Sequence, residues 1–187
     1  RSDSIDLIEE PLQVECLANR PPWLAVVMEQ GNDRTYDINR LSVDEAGVNR
    51  MEVACQHVLD LGAGYWSLWT EADNLKTYNE KYPDGFAALQ QRMGYRVRPS
   101  WVWQRKRYGT SEVVIAFAND GVAGVPGALR VYVESMDGKL KIGGSLDPSH
   151  PRAGKLRQAN FILPQGYEGQ KLKVRAEIET RGVRRPV

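Results

Sequence analysis

The feature that most constrains this 187-residue chain is a change of hydrophobic period near residue 96. From Arg96 onward apolar and polar residues alternate, as in Leu129-Arg130-Val131-Tyr132-Val133-Glu134. Successive side chains of a strand point to opposite faces, so a period of two marks strands with one buried face. The pattern predicts strands at 100–106, 112–119, 128–135, 138–143, 156–163 and 170–180. Turn signals separate them: Asn119-Asp120-Gly121, Pro126-Gly127, Asp137-Gly138 and Gln165-Gly166. Short strands with turns at these spacings predict an antiparallel β-sandwich over residues 96–187.

Residues 1–95 follow another pattern. After a polar lead-in, Pro11–Leu17 reads as a strand and Asn19–Pro22 as a turn. Trp23–Glu29 is a nearly continuous apolar strand, of the kind buried on both faces of a parallel sheet. Beyond the Gln30–Arg40 loop, Ser42 and Glu45 form a capping box for a helix through residue 61. Val48, Met51, Ala54, Cys55 and Val58 share its apolar face. Gly62 and Gly64 stop that helix, Tyr65–Thr70 reads as a third strand, and Pro83 precedes a second helix over 84–93. The βαβα order implies parallel strands joined by right-handed crossovers.

The charge changes sign at the same place. Residues 1–95 carry 16 Asp/Glu and 8 Lys/Arg, and residues 96–187 carry 8 and 17. A sign change that coincides with a change of pattern marks a domain boundary at 95/96. The basic half does not read as a nucleic-acid surface, because its Lys/Arg are scattered along alternating strands. No apolar run approaches the length of a membrane span. Cys16 and Cys55 read as two buried free thiols, too few for a disulfide framework or a zinc site. His57 and His150 match no metal spacing, so neither a metal nor another cofactor is expected. The chain starts at Arg1 rather than Met and reads as a piece of something longer.

The candidate chemistry lies in the first half. Tyr65-Trp66-Ser67-Leu68-Trp69-Thr70 is an aromatic strand that runs into Glu71 and Asp73. In each of the three predicted strands the less apolar face carries a Glu: Glu15, Glu29 and Glu71. Functional side chains of parallel α/β barrels gather at the C-terminal ends of the strands, so three converging acids suit a barrel mouth. Gly121–Gly127 is a loop between strands and not a phosphate cradle, since no helix follows it. Trp101 and Trp103 share a strand face, as a sandwich core or an interdomain contact requires, and a sugar-stacking patch is the alternative.

On these residues the chain resembles the C-terminal part of a bacterial TIM-barrel glycoside hydrolase-like protein with an appended β-sandwich of unknown function. The segment Val114-Ile115-Ala116-Phe117-Ala118-Asn119-Asp120-Gly121-Val122-Ala123-Gly124-Val125-Pro126-Gly127 carries the resemblance in the second half. The fold class implied is α/β plus all-β: the last strands and helices of a (β/α)8 barrel over 1–95, then an immunoglobulin-like sandwich over 96–187. Trp23–Glu29 then matches the seventh barrel strand and Tyr65–Thr70 the eighth. The resemblance implies a retaining glycosidase with Glu29 as nucleophile and Glu71 as a secondary candidate. Glu15, Asn32, Trp69 and Asp73 would bind substrate. Retaining chemistry needs a second carboxyl as acid/base, which would lie upstream of Arg1, so this piece alone is expected to be inactive. The partners implied are a carbohydrate and the missing N-terminal part of the barrel, in an extracellular or periplasmic setting. The alternative is a non-catalytic carbohydrate-binding or structural interaction module.

Overall fold

In a computed structural model, which describes residues 11–29, 50–67, 72–147 and 150–187, Pro11 opens a helix where alternation predicts a strand. This is α1 (Pro11–Ala18). Proline suits the first helical position, where its missing N–H has no partner to lose. The Leu, Gln, Glu and Ala that follow are strong helix formers. Leu17 packs into the core beyond while Leu12 stays exposed, an arrangement the alternation could not anticipate. Arg20, just past the helix, donates to the carbonyls of Leu17, Leu24 (3.3 Å) and Gly62 (2.9 Å). Partial burial of its guanidinium lowers its pKa.

The chain divides into two compact units. One comprises the residues up to Tyr95 with Gly121–Ala123, the other Arg96–Asp120 and Gly124–Val187. In the first, β1 (Val27–Glu29) pairs in parallel with β2 (Tyr65–Ser67), Val27 opposite Tyr65 and Glu29 opposite Ser67. Between them runs α2 (Arg50–Asp60), and α3 (Ala72–Lys81) and α4 (Pro83–Arg92) follow. Gly62 ends α2 at φ +66°. The Ala63 N–H donates to Val58 O and the Gly62 N–H to Leu59 O. This pair of bonds is a Schellman motif, which satisfies carbonyls the helix leaves open. Met28, Cys55, Val58, Leu59, Trp66 and Leu89 form the core of this unit.

The barrel expectation is overturned. A barrel needs every strand bonded on both sides, whereas β1 and β2 are three residues long and, among the described residues, pair only with each other. The predicted first strand is α1, and α3 lies where no helix is predicted. The described chain is instead rich in antiparallel strand, with four short helices and no closed barrel.

The second unit holds the other strands: β3 (Val97–Arg107), β4 (Thr110–Asn119), β5 (Ala128–Ser135), β6 (Lys141–Leu146), β7 (Leu156–Ile162), β8 (Leu172–Thr180) and β9 (Val183–Pro186). They form a three-stranded sheet ordered β3-β4-β7 and a four-stranded sheet ordered β6-β5-β8-β9, antiparallel throughout. Val113, Ile115, Phe117 and Phe161 of one sheet meet Leu129, Val131, Val133 and Ile178 of the other in a single core. The order differs from a constant-type immunoglobulin sandwich in its fourth strand, which pairs with the third instead of the fifth. Asn119 is a buried polar residue with partners: its Oδ1 accepts from the Arg96 N–H (2.8 Å) and its Nδ2 donates to Pro151 O (3.3 Å).

Four carboxylates of this unit are held below their ordinary values by hydrogen bonds. Asp120 accepts from Arg98, Asp137 from Ser135 and Lys139, Glu168 from backbone N–H groups, and Glu179 from Arg130 and Arg184. A group whose folded pKa is depressed adds stability above its unfolded value, and that stability is lost as pH falls through the folded one. Melting temperature is therefore expected to hold from neutrality to about pH 5 and to fall steadily below about pH 4. Glu179→Gln should shrink that acid-side fall, and an equal fall in the variant would count against Glu179.

Candidate functional site

Strand β3 places Trp101, Trp103 and Arg105 at alternate positions, so their side chains leave the same face of the sheet. Their register partners on β4 are Ala116, Val114 and Glu112. Val113, Ile115 and Phe117 lie in the core, so this set faces outward from the sandwich. On the far side of β4 the same face continues with Leu156, Gln158, Asn160 and Ile162 of β7, opposite Ala118, Ala116, Val114 and Glu112. Three strands about 4.8 Å apart make a shallow, nearly flat face roughly 10 Å across.

The two indoles stack on one another, with centroids 4.6 Å apart and planes inclined by 26°. Each ring of a stacked pair keeps one face its partner does not cover. Trp103 is 49 % exposed, while Trp101 is partly buried. Beneath and beside them Val114 and Ala116 are fully covered although they point away from the core.

Polar groups border the aromatic pair. Arg105 Nε donates to Glu112 Oε2 at 2.9 Å, and the Glu112 side chain is only 17 % exposed. At the other end Arg98 pairs with Asp120 through two hydrogen bonds. A register shift between Pro99 and Trp101 makes this possible. The extra residue, Ser100, returns Arg98 to the same face as Trp101, which strict alternation would forbid. On β7, Gln158 Nε2 donates to Asn160 Oδ1 at 2.7 Å, leaving Gln158 Oε1 and Asn160 Nδ2 for other partners. A cleft of about 400 Å³ adjoins Arg105, lined also by Gln104, Lys106, Ser111 and Glu168. Gln104 anchors its far wall, donating to Gln170 O and accepting from the Gly169 N–H.

Of the residues the sequence singles out for chemistry, Glu29, Glu15 and Asp73 lie among the described ones. Glu29 ends β1 opposite Ser67. Glu15 is exposed on α1, not on a strand. Asp73 is exposed in the first turn of α3, where its carbonyl accepts from Thr77 Oγ1 at 3.0 Å. Glu71, Trp69 and Asn32 lie outside the described residues, as do Ser42 and Glu45 of the expected capping box. The barrel-strand count that makes Glu29 a nucleophile has no counterpart in the described residues, where β1 pairs only with β2. Cys55 is a buried free thiol, but Cys16 is exposed on α1, against expectation. Among the described residues no three His, Cys, Asp or Glu come close enough to hold a metal ion. No described helix is long and apolar enough to cross a membrane.

Comparison of the chain with protein-family models, curated proteins and solved structures returns no match. The sequence did mark Trp101 and Trp103 as sharing a face, and its first reading made that face a core or an interdomain contact. Half-exposed Trp103 does not behave as a sandwich core residue.

Proposed function

We propose that the second unit is a non-catalytic carbohydrate-binding module whose binding face is the outer surface of the β3-β4-β7 sheet. What carries the proposal is the stacked Trp101–Trp103 pair, held half-exposed over a floor of Val114 and Ala116. An exposed apolar patch rimmed by polar residues marks a binding surface. Tryptophan suits surfaces that are apolar on one side and wet on the other. A pyranose ring has matching chemistry: C–H groups on its faces and hydroxyls around its edge. Stacked on Trp103, it would bring those hydroxyls towards Arg105 and Glu112 on one side and Gln158 and Asn160 on the other. No group on this face is poised as an acid/base pair, since the one carboxylate in its rows, Glu112, is bound to Arg105.

A rival occupant is another protein, favoured by Leu156 and Ile162, which stand 59 % and 65 % exposed on the same face. The test is retention of the chain by insoluble polysaccharides (cellulose, chitin, mannan), with sedimentation velocity run in parallel. Retention by at least one of them, with a monomer in solution, is the expected result. No retention on any polysaccharide, together with self-association through this face, would favour the rival.

A further inference from the structure

We infer that the occupant is an internal stretch of a neutral, linear polysaccharide laid along β3. This rests on the carbohydrate-binding reading above and narrows the ligand class. Two observations carry it.

The first is charge. In the rows that surround the indoles, Arg98 to Arg105 on β3, Glu112 to Ala118 on β4 and Leu156 to Ile162 on β7, the outward charged side chains are Arg98, Arg105 and Glu112. Arg98 is bound by Asp120 at the margin of the face, and Arg105 and Glu112 bind each other. The remaining polar groups are the uncharged amides of Gln158 and Asn160. A uronate or sulfate placed on Trp103 would have to draw Arg105 away from Glu112. That would leave a carboxylate that is only 17 % exposed without its counter-ion, a costly exchange for a charge in so sheltered a place. Hydroxyls make no such demand, because they can donate to Glu112 and accept from Arg105 while the ion pair stays intact. One pair beyond Arg105 on the same face, Arg107 lies over the Tyr108 ring, and Lys106 lines the cleft with Glu168.

The second is shape. The row from Arg98 to Arg105 runs roughly 20 Å along the strand, at about 3.3 Å per residue. That is longer than one sugar ring. At each end it stops at an ion pair, and beyond Arg105 lies the cleft lined by Gln104, Lys106, Ser111 and Glu168. A flat face open along the strand accepts a polymer that enters at one end and leaves at the other.

Affinity electrophoresis of the full chain tests both points, in gels containing neutral polymers (hydroxyethylcellulose, galactomannan) or acidic ones (polygalacturonate, alginate), at low and high salt. Calorimetry with a hexasaccharide and a monosaccharide of the retarding polymer completes it. We expect retardation by a neutral polymer, little changed by salt because no net charge is neutralised, and at least about tenfold tighter binding of the hexasaccharide. Retardation by acidic polymers alone, abolished by Trp103→Ala, would overturn the neutral assignment and leave the binding face standing. Equal affinity for monosaccharide and hexasaccharide would overturn the internal-stretch assignment in the same way. Absence of retardation in every gel would overturn both this inference and the reading it rests on. Trp103→Phe, which keeps a ring, should retain part of the retardation and guards against loss through misfolding.

Discussion

Trp103→Ala is expected to abolish retention on polysaccharide at a smaller cost in melting temperature than Trp101→Ala. Trp103 is half solvent-exposed and outside the sandwich core, so truncating it removes less buried area than truncating the less exposed Trp101. Trp103 is the more exposed ring of the stacked pair. An aromatic pair contributes about 0.5–1.5 kcal/mol beyond area burial. The lost stack on a sugar ring, with the area it covered, should bring the total to about 2 kcal/mol or more, at least tenfold in affinity. Trp101→Ala should act differently. Trp101 is the less exposed ring and backs Trp103, so its loss frees the Trp103 ring to rotate and uncovers Ala116, its partner across the sheet. We expect weaker binding with a measurable drop in stability. The two variants thus separate the contact ring from the positioning ring, read by calorimetry for affinity and by thermal melting for stability. Equal binding losses with equal stability losses would mean that the pair is structural.

Phe117→Ala should destabilise the second unit by about 3–5 kcal/mol, the range for removing a large aromatic side chain from a core. Phe117 is 1 % exposed and lies on the central strand of the three-stranded sheet, facing the other sheet. Both its neighbours across the sheet, Pro99 and Arg157, are held by ladder pairing, so the walls cannot collapse to fill the void. For a unit of this size the loss corresponds to roughly 15 °C or more in melting temperature, at about 4–8 °C per kcal/mol. Urea unfolding followed by near-UV circular dichroism would read it directly. A loss below about 1 kcal/mol would mean that the two sheets do not share the core assigned to them.

Trp101 and Trp103 show how much of the site was legible beforehand. That they share a face follows from their spacing alone. Whether the face is core or surface depends on which strand lies across from them and which sheet lies behind it. That is decided by β4, β7 and the four-stranded sheet, all remote in sequence. Arg98 was not legible as part of the face, because the bulge at Ser100 has no strong local signal and reverses the parity of every residue before it. Strand β9 was missed because Val183-Arg184-Arg185-Pro186 has no apolar alternation. It is held by pairing with β8 and by Arg184 on Glu179.

By itself the sequence determined what depends on neighbours along the chain. The alternation set β5 at 128–135, and Gly62 ended α2 where a left-handed residue was needed. These are local properties of backbone geometry and side-chain period. Only the tertiary structure decided that Pro11–Ala18 is a helix, that β1 and β2 belong to a short two-stranded sheet and not a barrel, and that a tryptophan pair stands on an outer face. In each case an eight-residue or three-residue segment is nearly degenerate between alternatives, and burial against distant residues selects one. Leu17 packs against the core of the first unit from α1, and Trp103 stands on the face of its sheet opposite the one that packs in the sandwich core.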